Sequence, residues 1–376
     1  YPNLKELGNY DVIVCGGGPA GFCAGIGAAR LGCRTAILER YGMLGGAMTV
    51  GGVPFPALFH AWGKQIIAGI GWELMERLSK EGWAVLPDPG SDKPHPQMAV
   101  AVNGPMAAWM LDKMCSEAKV ELYFHQPAVE LVLADKNVEG IIISTKEGLG
   151  LLKGKVIIDC TGDGDLAAWA GADYELGEEL QPGTLGFYLK GTETVDREQL
   201  DPSFRAARSQ GNLVHGDFWG EANGRAETIL RGLNVNHVEL NAADSTSRTQ
   251  AEIEGRKSVA RICHWLRGVA GGEKITPLTC VPEVWARESR RILGEAYVTV
   301  EQYLDAICHS FYPIDLHTTD GKNLKNIFLE KGKVPTIPLG ALVPKGFSNL
   351  LVAGRSISGD RLAQSAYRVQ ASCMAM

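Results

Sequence analysis

Asp11-Val-Ile-Val-Cys15 runs directly into Gly16-Gly-Gly18-Pro-Ala-Gly21, and most of the fold follows from that junction. A short, β-branched apolar run closed by glycine is a buried strand. Ala20 to Leu31 is rich in alanine, keeps small residues on one face and stops at Gly32, which predicts a helix. Arg34 to Glu39 is a second apolar strand. Strand, turn, helix and strand make one βαβ unit, whose parallel strands require the crossover helix. The turn itself reads G-x-G-x-x-G, completed by Pro19 and Ala20. Gly16 permits the bend, Gly18 lets the backbone approach a pyrophosphate, and Gly21 lets the helix pack closely on the strand. The helix start then offers unpaired N–H groups and a partial positive charge to phosphates. Glu39 stands at the end of the second strand, where a carboxylate reaches ribose hydroxyls. An acid there repels a 2′-phosphate, so NAD and FAD both fit these residues.

The rest of the chain is compatible with one enzyme built around that unit. Its 376 residues suggest about two domains, with 45% hydrophobic and 21% charged residues excluding a disordered or collagen-like chain. The formal charge of −6 gives no electrostatic footprint for nucleic acid or an anionic membrane. No apolar stretch approaches the ~18 residues needed to span a bilayer. The nine cysteines include no C-x-x-C pair, which excludes a zinc ribbon, an iron–sulfur run or a redox dithiol and leaves no metal site. Their burial in apolar runs suits a reducing compartment, expected to be cytoplasmic. The start at Tyr1 rather than Met, and a last helix with no Gly or Pro terminator, suggest that the chain continues on both sides.

Further elements follow from periodicity. Trp62 to Glu81 and Gly104 to Ala118 predict helices, the second with Asn103 as its N-cap. Val120 to Phe124, Val129 to Leu133, Val138 to Ser144, Leu149 to Leu152 and Val156 to Cys160 predict strands separated by charged turns. Several strands in sequence inside an α/β chain predict a small meander added to a parallel sheet. Thr246 to Arg267 predicts a long helix, Asn349 to Ala353 a buried strand, and Leu362 to Met376 a final helix. Gly42 to Gly46, the Asp159-Cys-Thr-Gly-Asp-Gly-Asp165 loop and Gly354 add three more glycine turns. Strand ends closed by glycine would meet at one edge of the sheet, where ligands sit in such folds.

The first unit, the Asp159 to Asp165 loop, Arg287-Glu-Ser-Arg-Arg291 and Leu351-Val-Ala-Gly-Arg355 together resemble the FAD-dependent oxidoreductase family, over most of the chain from Asp11 onward. The resemblance implies the two-domain flavoprotein fold of glutathione reductase and fumarate reductase. In these terms the chain is α/β: a Rossmann-like FAD-binding domain, parallel sheet plus β-meander, formed by residues 1–50, 100–171 and 335–376. Residues 51–99 and 172–334 would form an interleaved α+β substrate or cap domain. The resemblance further implies that Gly16, Gly18, Pro19, Ala20, Gly21 and Glu39 bind the ADP half of FAD, with Arg40 beside the adenosine. Gly45 and Gly46 would lie along the pyrophosphate and ribityl chain, and Val129 would meet adenine through its backbone. Thr161 and Gly162 would pack near the ribose, and Gly354 and Arg355 would flank the diphosphate or ribityl group. Family members also continue the last helix into a Gly-Gln-Ala-Ala-Gly-like stretch that closes over the flavin, beyond Met376. No second G-x-G-x-x-G offers a dedicated NAD(P)H site.

With a flavin the protein supplies position and electrostatics. The helix near Leu362 is expected to aim its N-terminus at the pyrimidine end of the ring, aided by Arg361 or Arg368. Hydride transfer also needs an acid or base, for which His317, Asp315 and His60 are the candidates. Arg287, Arg290 and Arg291 offer either a clamp for a substrate carboxylate or an ion-pair network with Glu288, the latter favoured. Among the tryptophans, Trp62, Trp109 and Trp219 read as core or pocket residues. The sequence therefore points to an FAD-dependent oxidoreductase that moves a hydride to or from a small organic molecule, with an unknown electron donor or acceptor. An FAD-carrying subunit of an electron-transfer complex is the alternative. A flavin-dependent tRNA-modifying protein would need a basic face that the composition lacks.

Overall fold

The computed structural model describes residues 4–88, 98–218, 226–232, 235–304, 314–317, 325–327, 331–332 and 335–376. Trp219 lies outside the described residues. Strand β1 (Lys5–Cys15), helix α1 (Pro19–Arg30) and strand β2 (Thr35–Glu39) form the expected βαβ unit. Helix α2 (Ile70–Lys80) and helix α3 (Gly104–Ala118) follow, then strands β3 (Glu121–Phe124), β4 (Ala128–Ala134), β5 (Asn137–Thr145) and β6 (Gly148–Asp159). Strand β7 (Leu350–Val352) completes a seven-stranded sheet in the order β3-β2-β1-β6-β5-β4, with β7 paired to β6.

The sheet is parallel where the glycine turns lie and antiparallel in the meander. β1 runs parallel to both β2 and β6, β6 runs parallel to β7, and β5 pairs antiparallel with β4 and β6. The two strands expected at Leu149 to Leu152 and Val156 to Cys160 are one: the 12-residue β6 pairs with β5 through its first half and with β7 through its last residues. The charged Lys153 and Lys155 between the two apolar runs reach Glu6 and Asp11 at the sheet surface, so they do not mark a turn.

Two other expectations change. The helix expected from Trp62 starts only at Ile70, because Gly63 and Gly69 adopt φ of 73° and 75°. His60–Ala61 and Lys64–Gln65 instead form a short hairpin. The terminal helix is two pieces, α5 (Arg361–Tyr367) and α6 (Gln370–Met374), separated at Val369, whose ψ of 147° is extended. Ala371 N–H donates to the carbonyl of Pro56 at 2.9 Å, and the Gln370 amide donates to that of Val53 at 2.8 Å. This docking on the 53–56 loop replaces the helical continuation.

Two apolar clusters organise the interior. The first gathers the sheet with α1, α2 and α3, and includes Phe22, Ile26, Leu74, Met75 and Leu78. The second lies around helix α4 (Ser245–Arg267) and the antiparallel strands Phe187–Lys190 and Thr276–Cys280. Among the described residues no helix is long and apolar enough to cross a membrane.

Candidate dinucleotide and active site

The carboxyl ends of β1, β2, β6 and β7 converge on one cavity of ≈360 Å³. Main-chain hydrogen bonds carry the strand order into the turns: Gly16 N to Leu38 O, Cys160 N to Cys15 O and Ala353 N to Asp159 O, at 2.8, 2.8 and 3.0 Å. A cavity outside the carboxyl ends of parallel strands is where open α/β sheets hold ligands.

Each glycine of the first turn has a distinct steric reason. Gly16 has φ of +103°, and a Cβ there would lie 2.3 Å from the Cys160 carbonyl. A Cβ on Gly21 would lie 1.8 Å from the Gly16 carbonyl oxygen, so α1 packs on β1 only without one. At Gly18 a Cβ would meet nothing within 4 Å. That residue borders open space in the cavity, as backbone presented to a ligand must. Across the gap, a Cβ on Gly46 would approach Gly18 Cα to 2.9 Å, so the second glycine turn is packed against the first.

Glu39 is buried and lines the same cavity. Its carboxylate accepts from Gly17 N at 2.8 Å and from Tyr41 N at 2.9 Å. Burial raises its pKa, and those two backbone donors oppose the shift. At the end of β6, Asp159 builds the next loop by accepting from Thr161 N, Thr161 Oγ1 and Ala167 N at 3.0, 2.7 and 3.0 Å. Burial pushes Asp159 up to about 6, against those hydrogen bonds.

Gly16, Gly18, Pro19, Ala20, Glu39, Arg40, Gly46, Thr161, Gly162, Gly354 and Arg355 all line this cavity. Gly21 and Gly45 support it from behind, Gly45 through its N–H bond to Gly17 O at 2.8 Å. Val129 does not reach the wall; Pro127 and Ala128, just before it, do. The lining also includes Arg368, expected near the ring, and Ala47, Trp169, Glu283, Trp285 and Gln370, which no motif flagged. Glu283 pairs with Arg40. The guanidinium of Arg355 pairs with Asp163, which also pairs with Arg248 of α4. The thiols of Cys15, Cys160 and Cys373 on the wall are pushed up by burial, Cys373 to about 12, and stay protonated at neutral pH.

The catalytic candidates separate. His60 is buried against the Trp72 ring, with centroids 4.7 Å apart, and does not line the cavity. Arg290 pairs with Asp165 at 2.8 Å and donates to the carbonyl of Asp163 at 3.0 Å, pinning the loop from outside the cavity. Arg291 and Arg361 both pair with Glu288, at 2.9 and 3.1 Å. The N-terminus of α5 is capped by Asp360, whose carboxylate accepts from Ala363 N, and residues 360–363 do not line the cavity. The cavity instead meets the break between α5 and α6, at Arg368 and Gln370. Arg368 donates to the Asp315 carboxylate at 3.4 Å, and His317 Nε2 lies 3.4 Å from the same oxygen. His317 is thus buried behind the wall rather than in it.

The FAD dependent oxidoreductase family model matches residues 11–376. The chain belongs to that family. FAD is its cofactor. The residues fit that group: open space at Gly18, a buried carboxylate at the ribose position and a second glycine turn all face one cavity. Dihydrolipoyl dehydrogenase of Trypanosoma brucei brucei is 55% identical over 53 residues, 14% of this chain and 11% of that protein. Leghemoglobin reductase of Glycine max is 50% identical over 52 residues, 14% of this chain and 10% of that protein. The matched stretch therefore spans about a tenth of these relatives' length. Among solved structures, a geranylgeranyl bacteriochlorophyll reductase-like protein from Thermoplasma acidophilum is 12% identical with TM-score 0.47, covering 99% of this chain and 76% of that one. THI4 of Thermovibrio ammonificans is 19% identical with TM-score 0.33, covering 52% and 70%.

Proposed function

We propose that this enzyme passes a hydride between FAD and a small organic substrate held against the wall at Arg368, Gln370 and Trp285. A separate electron donor or acceptor completes the turnover. Bound FAD supplies the two-electron chemistry. The chain's own residues then have to orient the substrate and handle one proton, since hydride leaves a carbinol or amine carbon only as its O–H or N–H proton departs. The reading is supported above all by Arg368, which faces the cavity and is tied to Asp315 and through it to His317. Arg368 would hold a substrate oxygen, and His317 with Asp315 would take or give the proton. Residues 51–99 and 172–334, the second of which supplies Asp315 and His317, are the substrate domain in this reading. Net charge −6 supports a small molecule over nucleic acid as partner.

The test is to load the purified protein with FAD, photoreduce it anaerobically and mix it with small quinones, enals and imines. At least one is expected to reoxidise the flavin, with Arg368→Gln slowing that step by roughly a hundredfold through loss of a charge-assisted hydrogen bond. Reoxidation only by a protein acceptor, untouched by Arg368→Gln, would overturn the reading in favour of an electron-transfer subunit.

A further inference from the structure

A second cavity, of ≈500 Å³, lies in the other half of the molecule between the turn at 214–217 and helix α4. His215, His237, Ser247, Lys257 and Arg261 are among the residues on its wall. The His237 backbone is fixed there by a 2.7 Å bond from its N–H to Gly216 O. Its Nε2 lies 3.1 Å from Nδ1 of His317. His317 Nε2 lies 3.4 Å from Asp315 Oδ2, and Asp315 pairs with Arg368 on the wall of the dinucleotide cavity. One line of side chains thus joins the two cavities.

We propose that His237 is the proton port of the active site, carrying protons between the second cavity and the buried His317–Asp315 pair. The proposal deepens the hydride-transfer reading and rests on it for the use made of the proton. Hydrogen-bond complementarity fixes the order of donors. His317 donates Nε2–H to the Asp315 carboxylate, so its Nδ1 accepts, and His237 must donate Nε2–H to it. A proton arriving at Nδ1 of His237 releases the Nε2 proton to His317 Nδ1. His317 in turn releases its own Nε2 proton to Asp315. Each ring gains one N–H and loses one, and the carboxylate carries the net proton only in transit, because burial is outweighed by His317, Arg368 and Arg287, which hold it well below the usual carboxylate range. The same hops in reverse empty it.

The charges around the line favour neutral rings that relay rather than store. Burial lowers the pKa of both imidazoles, and the charge of Arg287 lowers them further. His317 falls to about 4, with Arg368 also opposing its protonation and Asp315 favouring it. His237 additionally faces His215, and Asp315 favours its charged form too weakly to compensate. Gln181 closes the other side, its side-chain oxygen accepting from His317 N at 3.3 Å and from Arg368 at 3.4 Å. An amide there orients the group but passes no proton.

The experiment follows solvent exchange of the His317 ring proton by NMR on histidine-labelled full chain, with no substrate present. Exchange is expected to slow at least about tenfold in His237→Ala and to recover when imidazole is added, since the free base enters the emptied ring site and replaces the missing relay. His237→Gln keeps a polar side chain and serves if the Ala variant does not fold; it too is expected to slow exchange. Unchanged exchange in either folded variant, or slowing that imidazole does not relieve in His237→Ala, overturns the proposal. Because no acceptor is involved, such a failure leaves the hydride reading standing. Failure of small acceptors with exchange behaving as expected has the opposite meaning.

Discussion

Gly18 and Gly21 sit three residues apart in one turn, yet the structure separates their roles, and a paired substitution measures that separation. A side chain at Gly18 enters open space: its φ of −69° and ψ of −171° suit any residue, and no atom lies within 4 Å of the added Cβ. Gly18→Val therefore changes folding only through a poorer N-cap, about 0.5–1 kcal/mol, which shifts Tm by no more than about 3 °C. The valine instead fills the space that the cofactor's diphosphate requires. Losing one or two charge-assisted N–H contacts to phosphate, at about 1.5–3 kcal/mol each, weakens FAD binding by roughly 10²- to 10³-fold. Gly21→Ala does the reverse in order of cause. Its methyl would overlap the Gly16 carbonyl at 1.8 Å, so α1 must lift from β1, which costs at least about 3 kcal/mol. Urea unfolding of the apoprotein and flavin fluorescence titration read the two effects apart. If folded Gly18→Val holds FAD as tightly as the parent, or if Gly21→Ala unfolds at the parent's midpoint, the assignment of the turn is wrong.

Three further outcomes are expected. Glu39→Ala leaves the buried N–H groups of Gly17 and Tyr41 without their acceptor. It should lower both stability, by about 2 kcal/mol in urea, and FAD affinity, by roughly tenfold or more in the fluorescence titration. Asp163→Asn strips the buried carboxylate shared by Arg248 and Arg355, and should cost about 3 kcal/mol in the same unfolding assay. The pH dependence of stability has a definite sign. His317 is depressed from 6.5 to about 4, and His237 is depressed as well, both first by burial. The unfolded chain then binds protons that the folded chain lacks, so stability is full above pH 6.5 and falls toward pH 4 by about 1.4 kcal/mol per pH unit per proton. Urea midpoints between pH 7 and pH 5 check this, and a shallower slope is expected for His237→Gln.

The dinucleotide half of the site was legible because its demands are local. A turn without side chains, a helix start and an acid one strand away are all encoded within residues 11–39, and each is where the spacing put it. The meander was legible for the same reason, except that two lysines on the solvent face of β6 resembled a turn. Long-range choices were not legible. Whether the terminal segment is one helix or two depends on the Val53 and Pro56 carbonyls, more than 300 residues away, and periodicity carries no trace of them. His237, Gln181 and Glu283 gave no signal for a similar reason. Each is a single polar residue in an irregular stretch, and its meaning comes only from what tertiary contact places beside it.

The arginines of the cavity wall show how far a charge inventory can mislead. Arg40 and Arg355 both face the dinucleotide space, which suggests strong cationic binding of the diphosphate. Yet Glu283 holds Arg40 and also faces Arg248, and Asp163 holds Arg355 together with Arg248. A guanidinium already engaged by a carboxylate gives a second anion little net attraction, because the pair's fields largely cancel beyond a few ångströms. A diphosphate in this cavity is therefore expected to be recognised mainly by the backbone at Gly18 and the start of α1. The paired arginines do a different job. They join α4 and the 283–286 segment to the loop after β6, and so hold these segments against the carboxyl edge of the sheet. Arg248→Gln separates these roles: it should cost stability as Asp163→Asn does, because Asp163 and Glu283 both lose a partner, while leaving FAD affinity within about threefold of the parent.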